Sequence, residues 1–134
     1  MKRIILGLGL LFMLAQNGFA KDYTDVEWDI KIANAPDKIW KQYYKCRQVV
    51  ENHRTKSDPE ICKQVVPLIK NSHKSHALHN EESDILLKVG YLYDYSKKNY
   101  LKAYEYYMKS AKLGDTTAQR NLDSLCREHS WVCK

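Results

Sequence analysis

Three evenly spaced histidines, His73, His76 and His79, form the pattern in this chain closest to a ligand set. On a helix an i, i+3 pair shares one face, and Glu81 or Glu82 could add a carboxylate, a donor set suited to zinc. The run lies in a polar stretch, Asn71 to Asn80, without visible supporting partners. It is expected to be a solvated linker, so no metal is assigned. For nucleophilic chemistry the chain offers no GxSxG elbow, and no glycine-rich phosphate loop is present.

The four cysteines, Cys46, Cys62, Cys126 and Cys133, are the second chemically capable set. A zinc site would favour a short CxxC spacing, which is missing, whereas an even count in an exported chain points to disulfides. Of the three connectivities, Cys46 with Cys62 and Cys126 with Cys133 is favoured, because each pair sits beside a chain reversal. The first would close a loop contributing roughly 3 kcal/mol in the chain-entropy model. The second sets a condition: residues seven apart in an unbroken helix lie roughly 10 Å apart along its axis, beyond disulfide reach. The last helix must therefore end before Cys133.

Tyrosine is the third unusual feature, with seven of the ten lying between Tyr91 and Tyr107. Most have the spacing of packed helical faces. Tyr91, Tyr95 and Tyr106 fall off those stripes and are the expected contact residues, since exposed tyrosine is large, rigid and able to hydrogen-bond.

The elements that must position these residues read as helices. Met1-Lys2-Arg3, an apolar run from Ile4 to Ala15 and the small-residue ending Gly18-Phe19-Ala20 have the form of a secretory signal peptide over residues 1–20, cleaved near Ala20. The run is too short for a transmembrane helix, which needs roughly 20 apolar residues. A periplasmic or secreted location follows. Residues 21–35 show no sustained period and are expected to form an extended leader. Residues 36–134 form one domain. A first helix starts at Pro36 and carries Trp40, Tyr43, Tyr44 and Val50. A second starts near Ser57-Asp58-Pro59-Glu60, either as a capping box or as an Asp58 cap, and is broken by Pro67. A third, capped by Asn80 or Ser83, carries Ile85, Leu86, Val89, Leu92 and Tyr93. A fourth starts at an Asn99 cap and ends at Gly114. A fifth begins at Asp115 to Thr117 and carries Ala118, Leu122 and Leu125. Two of the formal +6 charges come from Lys2 and Arg3, and the rest are interspersed, a balance that does not call for nucleic acid.

Residues 85–125 resemble a Sel-one-like repeat, a relative of the tetratricopeptide repeat. The resemblance rests on Val89-Gly90-Tyr91-Leu92-Tyr93, Asn99-Tyr100-Leu101-Lys102-Ala103, Tyr106-Tyr107, Lys109-Ser110-Ala111, Gly114, Ala118 and Leu122. A helical glycine costs about 1 kcal/mol relative to alanine, so Gly90 marks a place where another backbone comes close, with Ala103 and Ala111 as the matching small residues. The loop Asp94 to Lys98 lacks the family's usual glycines. The second unit, Leu122 to Cys126, is truncated and reads as a C-terminal cap. Residues 36–70 read as a diverged helical hairpin.

The expected architecture is all-α: antiparallel helical hairpins stacked as a short tetratricopeptide-like α-solenoid of about five helices with two disulfides. The resemblance implies a scaffold with a groove for a protein partner. That partner is expected to be an envelope protein served by an adaptor, or a toxin effector blocked by an immunity protein. Nucleic acid, stable membrane insertion, cofactors and catalytic residues are not expected, and self-association stays open. A cysteine-rich secreted branch of the family is associated with β-lactam binding and hydrolysis, which gives a hydrolase alternative. The SxxK spacing that would activate a serine against a lactam is missing.

Overall fold

Thr24 opens the first helix through a reciprocal cap: its Oγ1 accepts from the Glu27 amide, and its own amide donates to the Glu27 carboxylate at 2.8 Å. The computed structural model describes residues 23–51, 58–73 and 76–134; the expected signal peptide lies outside them. Helix α1, Asp25–Ala33, corrects the expectation of an extended leader over 21–35. Its apolar period is weak because Trp28 alone is fully buried, while Val26 and Ile30 face outward. Trp28 takes the Tyr23 ring edge-on at 5.1 Å and the Arg47 guanidinium over its face at 5.7 Å. One large side chain therefore docks this helix.

Helix α2 spans Lys38–Glu51. Asp37 accepts from the Trp40 amide, so Asp37 caps the helix and Pro36 precedes it, outside the first turn where it was expected. Next come α3, Pro59–Lys63, and α4, Val65–Lys70. Asp58 accepts from the Glu60 amide with Pro59 in the first turn, the second of the two expected starts; Ser57 lies outside the described residues. The break between α3 and α4 falls where Pro67, without an N–H, cannot bond the Lys63 carbonyl.

Helix α5, His79–Tyr91, starts earlier than its candidate caps implied. Leu78 stands at the cap position without a side-chain bond, and the Ser83 hydroxyl donates back to the Asn80 carbonyl from inside the helix. A π-helical turn, Leu92–Ser96, and Lys98 at φ +51° lead to the Asn99 cap, which accepts from the Lys102 amide. Helix α6 is Tyr100–Lys112, and Gly114 at φ +99° reverses the chain. The Asp115 cap starts α7, Thr116–Glu128, and a short 3₁₀ turn, Ser130–Cys133, follows. The described residues contain no strand.

Helices α5 and α6 run antiparallel. His79 meets Leu113, Ser110 bonds Ser83, and Asp94 bonds Tyr107, so positions rise on one helix as they fall on the other. One apolar cluster joins α2, α3, α4 and α5 through Tyr43, Cys46, Cys62, Val65, Ile69, Leu78, Ile85, Val89 and Leu92. A second joins α6, α7 and the terminal turn through Ala103, Tyr107, Leu122, Leu125 and Val132. Tyr91 and Tyr93 pack against both, so the end of α5 and the π-helical turn after it join the two clusters.

Both expected disulfides are present, Cys46–Cys62 and Cys126–Cys133, with Cα separations of 4.7 and 5.7 Å. As the seven-residue spacing required, α7 stops at Glu128 and the 3₁₀ turn brings Cys133 back. The first bond, fully buried, staples α3 to α2. No helix among the described residues is long and apolar enough to cross a membrane. The disulfides fit an oxidising compartment such as the periplasm or the extracellular space.

Candidate binding groove

The break at Gln64 and the close pairing of α5 with α6 leave an open groove of about 550 Å³ between the α3–α4 segment and the α5–α6 pair. One side carries Lys63, Val66, Pro67 and Lys70; the other carries Glu82 and Leu86 from α5, then Tyr106, Lys109 and Leu113 from α6 and its end. The volume lies within the range of sites that seat a small ligand or a few side chains.

The three lysines each stand in the last turn of a helix, Lys63 on α3, Lys70 on α4 and Lys109 on α6. There a cation complements the exposed carbonyls, which explains why each position tolerates lysine. Their convergence on one groove is a product of packing. An aromatic ladder links two of them. The Lys63 ammonium donates to Glu60 at 2.9 Å and approaches the Tyr93 hydroxyl at 3.5 Å; the Tyr93 ring stacks on Tyr106 at 5.7 Å; and the Lys109 ammonium sits 4.9 Å above the Tyr106 ring. The Glu60 hydrogen bond, with the two tyrosines as minor contributors, holds the Lys63 ammonium above its ordinary range. Lys109 and Lys102 hold the Glu105 carboxyl below its own, the Lys109 hydrogen bond being the larger cause.

The three tyrosines expected at a contact surface do not come together. Tyr106 lines the groove, half-buried against Tyr93. Tyr91 and Tyr95 meet at a tilt of 39°, ring centroids 4.6 Å apart, around the π-helical turn, with Asp94 and Glu128 as the charged neighbours of Tyr95. Tyr95 is exposed and Tyr91 half-buried. Partial desolvation beside Tyr91, then the Asp94 and Glu128 carboxylates, raises the Tyr95 hydroxyl above its ordinary range although most of the side chain is exposed.

His73 and His76 are exposed, and the described residues contain no group of three His, Cys, Asp or Glu arranged to hold a metal. His79 is a structural tie, its Nε2 lying 2.9 Å from the Leu113 carbonyl at the end of the groove. Two buried serines also serve the α5–α6 interface: Ser110 donates to the Ser83 carbonyl at 2.6 Å, and Ser83 to Asn80.

A second cavity of about 600 Å³ opens between α1, α2 and α3, lined by Lys41, Gln42, Lys45, Gln48 and Gln64 among others. Ile32, Ala33, Val49 and Ile61 give it an apolar floor and Asp29 an acid, but no aromatic side chain is among the described lining residues. The lysine groove combines apolar floor, aromatic wall and convergent charge, so it is the better candidate. Sequence reasoning missed Lys63, Lys70, Lys109, Leu86 and Leu113 as a set, because they come from four helical segments and share no linear spacing. Comparison with family models, curated proteins and solved structures returns no match to this chain.

Proposed function

We propose that this protein is an exported helical-repeat binding module that receives a segment of a protein partner in the groove between α4 and α6. The observation that carries the reading is the groove itself: an apolar floor of Val66, Pro67 and Leu86 with an aromatic wall and charged rim. Its walls are held in place before any partner arrives. Cys46–Cys62 staples the α3 side, and the Ser110–Ser83 bond with the His79–Leu113 contact ties the other. A preformed surface reduces the ordering cost of association.

The repeat reading is supported by the close approach at Gly90, the fully buried Ala103 and Tyr107, and Gly114 at positive φ between α6 and α7. On that reading α5 and α6 form one unit and α7, pinned by Cys126–Cys133, covers its open side. An envelope adaptor and an immunity protein blocking a toxin effector would use the same rigid groove. A toxin gene beside this one favours immunity.

The test is capture from periplasmic and secreted extracts with oxidised protein, run in parallel with a Pro67→Asp variant that places a charge on the exposed part of the groove floor and is first checked for unchanged helical circular dichroism. One stoichiometric partner held by the wild type and released by the variant is the expected result. Equal retention by both, or no partner, would remove the groove from the function and turn attention to small-molecule turnover.

A further inference from the structure

Resting on that binding reading, we infer that the groove is built for an acidic protein segment, one in which carboxylates flank an apolar side chain. The charge on its walls is one-sided: Lys63, Lys70 and Lys109 stand against Glu82 as the acid among the described lining residues. The cations are also available. Among the described residues Lys70 has no ion pair, while Lys63 and Lys109 are held by Glu60 and Glu105 of their own helices.

Both pairs are solvent-exposed, with the carboxylates 57% and 41% accessible. Exposed pairs of this kind contribute little, so a carboxylate arriving from a partner can replace the internal one at small cost. The exchange differs from binding at a fully paired, buried site, where removal of the resident acid would strand a charge.

The floor decides what carries those carboxylates. Leu86 is buried at the base, Val66 and Leu113 are half-buried, Pro67 is exposed, and Tyr106, stacked on Tyr93 with the Lys109 ammonium above its ring, closes one side. A polymer of phosphates would satisfy the lysines and leave this apolar surface in water. A protein segment with leucine or a similar side chain between acids covers the floor, removing apolar surface from water, and meets the rim together. Charge on the rim then sets partner choice and encounter rate.

The test uses the oxidised protein and a fluorescent synthetic peptide alternating Glu and Leu, with a control carrying Gln for every Glu. Binding by anisotropy is expected for the Glu peptide, weakening with added salt, and to be lower by about tenfold or more for the Gln peptide. Lys70→Glu and Lys109→Glu are each expected to lose about tenfold, and Lys41→Glu, in the α1–α2 cavity, to lose nothing. Unchanged helical circular dichroism confirms that these surface variants fold. Equal binding of the two peptides, no binding up to about 1 mM, or equal losses from Lys41→Glu would overturn the inference. Adsorption to phosphatidylserine vesicles without peptide binding would overturn it in favour of an anionic surface. A partner captured from extract that Pro67→Asp releases and the Glu peptide fails to displace would leave the groove reading standing and remove the acidic segment.

Discussion

The ring of Tyr107 lies directly over the Cα of Gly90: a Cβ placed there would stand 2.6 Å from Cδ1 and 2.8 Å from Cε1 of that ring. This corrects the expectation that another backbone comes close at Gly90: the neighbour is an aromatic side chain, and the small residue clears room for the largest buried side chain in the second core cluster. Tyr107 cannot yield, because it is fully buried and its hydroxyl donates to Asp94 at 3.0 Å.

Gly90→Ala is therefore expected to destabilise the fold by roughly 1–2 kcal/mol, the overpacking cost outweighing the helix-propensity gain of about 1 kcal/mol. Urea denaturation measures it. In a Tyr107→Leu background the same change should become neutral or stabilising, and a penalty that persists there would disprove the contact as its cause.

Lys98 sits at φ +51° between the π-helical turn and the Asn99 cap, a conformation that costs an L side chain about 1–2 kcal/mol. Lys98→Gly should stabilise by about 0.5 kcal/mol after the extra entropy of the unfolded glycine is subtracted. Lys98→Val should destabilise. The order of thermal midpoints, Gly above Lys above Val, is the readout, and any other order contradicts the strain.

The two disulfides differ in access: Cys46 and Cys62 are fully buried, Cys126 and Cys133 half-exposed. Graded dithiothreitol with alkylation and peptide mapping should show Cys126–Cys133 reduced first. Replacing that pair with serine is expected to cost roughly 2–3 kcal/mol, and replacing Cys46 and Cys62 with alanine roughly 3 kcal/mol or more, because the loop is longer and the site lies in the core. Simultaneous reduction would mean that the domain opens as one unit.

Asp94 titrates above its ordinary value of 3.8, chiefly because burial penalises the carboxylate, with the Tyr107 hydrogen bond opposing the rise. The folded state thus holds this proton more tightly than the unfolded state. Its contribution to stability is fully present below about pH 3.8 and is lost as pH rises through the folded pKa. Tyr107→Phe removes the opposing donor, so the Asp94 midpoint should move further up in a carboxyl-carbon NMR titration. A downward move would show that the hydroxyl does not stabilise the carboxylate.

Much of the local structure was legible before the tertiary structure was known. Asn99 and Asp115 are caps, Gly114 is the left-handed reversal, Pro67 breaks its helix, and both disulfides join the expected partners. Each of these depends on groups a few residues apart, where covalent geometry and backbone hydrogen bonding leave few alternatives. Helix α1 escaped because one buried tryptophan, rather than a repeating stripe, pays for its docking, and the start of α5 at His79 escaped because no side chain caps it.

The sequence by itself determined most of the helices after residue 36, the Asp58, Asn99 and Asp115 caps, the Gly114 reversal and the favoured cysteine pairing, since these follow from local stereochemistry and loop length. Only the tertiary structure decided that Tyr106 parts company with Tyr91 and Tyr95, and that Lys63, Lys70 and Lys109 meet around Leu86. The reason is geometric: a groove belongs to the spaces between helices, and those spaces are set by which side chains, such as Tyr107 against Gly90, fill the core behind them.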